Sequence, residues 1–340
     1  MIISPNLSAA VGHTPMLRLR YASEITGCEI LAKAEMLNPG GSIKDRTALG
    51  LILDAEKRLQ LLPGSVIVEG TAGNTGIGLT LIGASRGYRC IIFMPETQSR
   101  EKIDALRMGG AEVHLVPAVP YKDPAHYAHQ ARAFAETLNA SKPGSAWFAK
   151  QFENTANRDF HEATTGVEIW EDTQGHVDGF VCSAGTGGTL AGVGRALKAR
   201  NPNVRIALAD PTGSALAQYI NTGELVASGN SISEGIGSSR ITANFKDAPI
   251  DLAWSIPDEE SVPLLHRLLR EEGWNIGGSS GVNLAGALRL ARELGPRHTI
   301  VTILADAGTR YQAKLFNPTF LREKNLPVPD WLAQAFPALD

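Results

Sequence analysis

Two short apolar runs, Ser65-Val66-Ile67-Val68 and Gly179-Phe180-Val181-Cys182, each end in a glycine-rich turn that opens a helical pattern. The turns are Glu69-Gly70-Thr71-Ala72-Gly73-Asn74-Thr75-Gly76 and Ser183-Ala184-Gly185-Thr186-Gly187-Gly188-Thr189, and the helical patterns run over 77–84 and 190–199. A strand that passes through a tight turn into a helix is the repeating piece of an open α/β sheet. The same turn gathers backbone N–H groups at a helix N-terminus, which makes it a candidate anion site. Neither turn has the G-x-G-x-x-G dinucleotide spacing or the G-x-x-x-x-G-K-[ST] nucleotide spacing.

The alternation continues along the chain. It predicts strands at Val66–Glu69, Arg89–Met94, Glu112–Val116, Gly179–Cys182, Arg205–Asp210 and Thr299–Leu304, with helices in most intervals. Cys90-Ile91-Ile92-Phe93-Met94 and Ile300-Val301-Thr302-Ile303-Leu304 are almost unbroken apolar runs, as expected of parallel strands buried on both faces. Residues 16–37 read as two short strands around a turn at Thr26-Gly27. The fold class is therefore α/β. At 340 residues the chain is long for one domain, so two open, mostly parallel α/β domains are expected. A seam near Lys142-Pro143-Gly144 divides a smaller domain, 40–145, from a larger one made of 10–39 plus 146–325. The tail, 326–340, is rich in proline and aromatics and is expected to pack on a surface or on a partner subunit.

Composition excludes several classes. The net charge of −3 comes without a basic tract, so no nucleic-acid partner is expected. No apolar run approaches the ~20 residues that span a bilayer, and Met1-Ile2-Ile3-Ser4-Pro5 lacks the pattern of a signal peptide. Cys28, Cys90 and Cys182 are scattered and odd in number, which points to a reduced, cytoplasmic protein. The eight histidines show no H-E-x-x-H spacing, and no metal is expected. His13 reads as a turn residue, and His161 has no evident partner.

The remaining stretch, Asn38-Pro39-Gly40-Gly41-Ser42-Ile43-Lys44-Asp45-Arg46, is a turn that leads into a helical pattern over 46–53. Ser42 is a candidate N-cap, and Asp45 falls in the first turn, where the helix dipole favours an anion. Lys44 puts a cation at the same positive end. That location favours the free amine, the form a Schiff-base lysine needs.

Together the three segments resemble the fold-type II pyridoxal-phosphate enzymes, and within them the cysteine synthase and cystathionine β-synthase family. The resemblance runs from Gly12-His13-Thr14-Pro15 to about Tyr311. The segments 95–102 and 116–122, with the loop Glu69 to Gly76, are similar to a divergent branch called cysteine synthase 2 or cysteine desulfhydrase-like. The resemblance implies a tryptophan synthase β-like fold and pyridoxal 5′-phosphate as cofactor. It implies that Lys44 holds the cofactor as an imine and serves as general base. Asn74 would meet the cofactor's 3′-oxygen, although its type also suits a turn. Gly185, Thr186, Gly187, Gly188 and Thr189 would hold the phosphate. Ser279, in Gly277-Gly278-Ser279-Ser280-Gly281, would meet the pyridine nitrogen, although it also suits a simple helix cap. A neutral serine there leaves the ring a weaker electron sink than an aspartate would, which favours prompt loss of a β-substituent. Thr71, Ala72, Gly73, Thr75 and Gln151 would bind the substrate carboxylate, with Gly235 near the ring face. Ala72 departs from the family, which usually carries serine at that position.

The implied activity is β-replacement of O-acetylserine, or a related β-substituted alanine, with sulfide to give L-cysteine. One alternative is an L-cysteine desulfhydrase releasing sulfide, pyruvate and ammonia. A second is a condensation of the cystathionine β-synthase type. A small amino acid and sulfide would be the partners, with no membrane association, and the resemblance implies a homodimer.

Overall fold

The computed structural model describes residues 4–71 and 73–335. Its strands are β1 (Met16–Arg18), β2 (Glu29–Ala34), β3 (Val66–Gly70), β4 (Arg89–Pro95), β5 (Glu112–Val116), β6 (Ala146–Phe148), β7 (Gly179–Cys182), β8 (Arg205–Pro211), β9 (Leu252–Ile256) and β10 (Thr299–Leu304). They form two sheets in two compact units. One unit comprises Met1–His13 with Leu37–His161, and the other Thr14–Met36 with Glu162–Asp340. No helix among the described residues is long and apolar enough to cross a membrane.

The first unit holds a four-stranded parallel sheet in the order β5-β4-β3-β6. β4 shows why its sequence lacks polar alternation. Cys90, Ile92 and Met94 pack into a core with Leu51 and Ile52 of the helix Lys44–Lys57 and with Leu79 and Ile82 of the helix Asn74–Ser85. Ile91 and Phe93 point to the other face, against Ala131 and Ala135 of the helix Tyr127–Ser141. Both faces of the strand are covered, and each fully buried aliphatic side chain contributes about 1.5–3 kcal/mol. β6 is only three residues long, Ala-Trp-Phe, too short for a periodic signal, and it follows the Lys142-Pro143-Gly144 turn to pair with β3.

The second unit holds a six-stranded sheet in the order β1-β2-β10-β7-β8-β9, in which only the β1–β2 pair is antiparallel. The stretch 16–37 departs from the expectation of two strands around a turn. A seven-residue helix, Arg20–Thr26, separates β1 from β2. It forms because Leu19 and Ala22 enter the core, the Ser23 hydroxyl donates to Leu19 O, and Gly27, at φ 68°, closes the helix in the left-handed region. The tail packs on its own unit as far as Leu332. Leu326 and Leu332 are buried, Trp331 meets His266 edge-on at 6.1 Å, and Arg270 lies over the Trp331 ring. Residues 336–340 lie outside the described residues.

Each sheet contains one reversal of strand order. In the first, β4 and β5 extend one way from β3 and β6 joins on the other side. In the second, β8 and β9 extend one way from β7 and β10 joins on the other. Open α/β sheets bind ligands beyond the carboxyl ends of strands at such reversals. The Thr71 loop follows β3 and Gln151 follows β6. The Gly185–Thr189 loop follows β7.

Candidate active site

In the first unit, Lys44 is the first residue of its helix. The expected N-cap is shifted by one: Ile43 occupies the cap position, and the Ser42 hydroxyl accepts the Lys44 N–H at 3.2 Å. Asp45, 1 % exposed, folds back to accept the Gly40 N–H, so the helix's own first turn fastens the glycine turn before it. Asn74 opens the neighbouring helix. The two helices touch at Gly78, where an added Cβ would lie 3.0 Å from Lys44 O and 3.1 Å from Ala48 Cβ. A glycine is required there for so close an approach.

The loop between β3 and that helix carries Thr71 and Gly73, and Thr75 is the helix's second residue. Gly73 has φ 149°, and its N–H reaches the Thr71 hydroxyl at 3.3 Å. The Thr75 hydroxyl donates to Gln151 Oε1 at 2.6 Å, and Gln151 Nε2 donates to Gly70 O at 3.4 Å. Thr71, Thr75 and Gln151 are all buried, so the structure brings these three and Gly73 together. Ala72 lies outside the described residues. Behind Gln151 runs a buried polar chain that the sequence did not reveal. Asn157 Nδ2 donates to Gln151 O at 3.1 Å, and Thr47, one turn into the lysine's helix, donates to Asn157 Oδ1 at 2.9 Å. His161 Nε2 lies 3.4 Å from the same hydroxyl.

In the second unit, Gly187 caps the helix Gly188–Arg200 in the left-handed conformation, at φ 85°. Thr189 is in that helix's first turn. An added Cβ at Gly187 would lie 2.5 Å from Phe245 Cβ, and one at Gly185 would lie 2.3 Å from Gly235 O. Gly185 and Gly235 are thus brought together, and the Thr242 hydroxyl fixes Thr186 by donating to its carbonyl at 2.6 Å. The Thr186 hydroxyl in turn accepts the Gly188 N–H at 3.2 Å. Ser279 is the second residue of the helix Gly278–Leu294 and is 7 % exposed. Asn283, one turn further, is a fastener that sequence reading missed. Its Oδ1 accepts from Ser183 N at 2.6 Å and its Nδ2 donates to Ile303 O at 2.7 Å. It therefore joins the start of the glycine loop to the end of β10 at the sheet's reversal.

These residues fit pyridoxal phosphate. The Gly185–Thr189 loop, whose glycines pack too closely on Gly235 and Phe245 to carry side chains, leads into a helix N-terminus suited to a phosphate. The first unit offers an amine at one helix start and an amide at the next.

Residues 7–306 match the sequence model of the family described as "Pyridoxal-phosphate dependent enzyme". The chain belongs to this family. Pyridoxal phosphate is accordingly its cofactor. Among its relatives, cysteine synthase 1 of Neurospora crassa is 49 % identical, over 97 % of this chain and 88 % of the relative. Cysteine synthase 2 of Schizosaccharomyces pombe is 44 % identical, over 93 % of this chain and 84 % of the relative. Cystathionine beta-synthase of Apis mellifera is 39 % identical, over 96 % of this chain and 64 % of the relative.

Proposed function

We propose that the chain is a cysteine synthase that replaces the β-substituent of O-acetylserine with sulfide. Lys44 would hold the cofactor, Asn74 its 3′-oxygen, Gly185, Thr186, Gly187, Gly188 and Thr189 its phosphate, and Ser279 its ring nitrogen. Bound there, pyridoxal phosphate supplies the electron sink that acidifies the α-carbon of an amino acid. Thr71, Gly73, Thr75 and Gln151 hold the substrate carboxylate by hydroxyl, amide and backbone N–H groups, and so orient the Cα–H bond. Ala72 contributes no hydroxyl to that grip, and Gly235 leaves room at the ring face. Once the substrate's amino group displaces it from the cofactor, Lys44 Nζ would take the α-proton. Acetate leaves from Cβ, hydrosulfide adds to the same carbon, and Lys44 Nζ returns a proton to Cα.

The observation that supports this reading most is the first unit's arrangement. The helix that Lys44 opens packs at Gly78 on the helix that carries Thr75, and Thr75 is bonded to Gln151. The test is substrate profiling of the purified holoenzyme. O-acetylserine with sulfide should give cysteine, and cysteine alone should give little pyruvate. Faster release of pyruvate and sulfide from cysteine would instead assign a desulfhydrase. We further propose a cytoplasmic homodimer. The buried, unbridged state of Cys28, Cys90 and Cys182 supports the compartment, and the family resemblance supports the dimer. Light scattering and cell fractionation test these two points.

A further inference from the structure

β10 runs on past Leu304 into a segment whose side chains the reaction above does not use. Ala305 N donates to Ser280 Oγ at 3.0 Å, and Gly277 N donates to Asp306 O at 3.0 Å. Ile276 and Ala307 form an antiparallel bridge, and Gly308 N donates to Asn275 O at 3.1 Å. The segment 305–308 is thus bonded to the approach and first turn of the helix Gly278–Leu294, whose second residue is Ser279.

Two buried side chains close this joint. Asp306 is 2 % exposed and Tyr311 is 7 % exposed, and the Tyr311 hydroxyl donates to Asp306 Oδ2 at 2.5 Å. Burial, with the carboxyl beside it, pushes the Tyr311 hydroxyl well above its usual range, so it keeps its proton and remains the donor. The pair lies against Gly277, the cap of Ser279's helix. A Cβ there would lie 2.1 Å from Asp306 Oδ1 and 2.7 Å from Tyr311 Cε2. Gly277 has φ −79°, a conformation open to any residue. The close approach of the pair, and not backbone shape, is therefore what requires a glycine. Three residues beyond Tyr311, Lys314 pairs with Glu234, next to Gly235. The same turn therefore also reaches the loop assigned to the ring face.

We propose that Tyr311 is a positioning residue for the cofactor: through Asp306 it fixes the Gly277–Ser279 helix start, and with it the Ser279 hydroxyl. This rests on the ring-nitrogen role proposed above for Ser279. A hydroxyl at the start of a helix moves with its backbone, and such a contact has to be held within about 0.5 Å by the groups behind it. Asp306 and Tyr311 are those groups, and neither needs to touch the cofactor.

The test measures the affinity of the cofactor-free protein for pyridoxal phosphate by equilibrium dialysis, in Tyr311→Phe, Ser279→Ala and the double variant. Tyr311→Phe removes one hydroxyl and keeps the ring against Gly277. It should weaken binding about tenfold, the scale of one hydrogen bond to a charged group. It should also move the visible absorption band of the bound cofactor in the same direction as Ser279→Ala. The double variant should bind within about twofold of Ser279→Ala alone, because both changes act through the same hydroxyl. Losses that multiply in the double variant overturn the proposal. So does wild-type affinity in Tyr311→Phe, even with a lowered thermal midpoint, which would mark a merely structural role. A Ser279→Ala protein with wild-type affinity and band would refute the ring-nitrogen role and the proposal with it. Should Tyr311→Phe not accumulate, Asp306→Asn, which keeps the shape and exchanges the carboxyl for a neutral amide, takes its place in the same cycle. Loss confined to the Ser279 background then supports the proposal, and multiplying losses overturn it.

Discussion

Replacing Glu69 by glutamine should change how the stability of the first sheet depends on pH. The carboxyl is held neutral in the folded chain up to about pH 8, against a reference value of 4.5. Between those values the folded state binds a proton that the unfolded state has released. Stability is therefore fully present below pH 4.5 and declines as pH rises towards 8. At about 1.36 kcal/mol per pH unit for one proton, the interval corresponds to a loss on the order of 5 kcal/mol by pH 9. Glutamine has the same shape and no proton to lose. The two proteins should be similar in stability at pH 5, and the variant should gain steadily from there. Hydrogen exchange at the β3 and β6 amides, corrected for intrinsic rates, reports the local opening free energy of this sheet. Wild-type and variant curves that stay parallel from pH 5 to 9 would refute the reasoning, because Glu69 would then be ionised and solvated in the folded protein.

Three further outcomes are expected. Gly185→Ala sets a Cβ against a carbonyl that cannot yield, 2.3 Å away at Gly235; affinity for pyridoxal phosphate should fall at least about tenfold, or ~1.4 kcal/mol, by equilibrium dialysis. Asn283→Leu strands the Ser183 N–H and the Ile303 carbonyl, costing about 2–5 kcal/mol and lowering the thermal midpoint of the second unit. Ala72→Ser restores the family's usual hydroxyl and should lower KM for O-acetylserine by up to about tenfold, the value of one hydrogen bond to a carboxylate.

The sequence carries its strands where they are long and apolar. Glu112–Val116, Gly179–Cys182 and Thr299–Leu304 appear with the expected bounds, and three others extend by a single residue. It conceals elements whose signal is short or borrowed. β6 has three residues and is a strand only because β3 lies beside it. The helix Arg20–Thr26 lies in a stretch of mixed polarity, and its identity depends on which side of it meets the core. The same division holds at the candidate site. Glycine turns can be read from the chain because their residue types are required by backbone shape. Asn157 and Asn283 could not be, because each bonds a segment tens of residues away. The one sequence signal for Glu69 was a carboxyl closing an otherwise apolar run.

The account depends on Lys44 being the residue that carries the cofactor. Borohydride reduction of the cofactor-loaded protein, followed by peptide mass mapping, tests this directly. A pyridoxyl adduct on the peptide containing Lys44, and its disappearance in Lys44→Ala, is the predicted result. An unmodified Lys44 with the adduct on another lysine would contradict it.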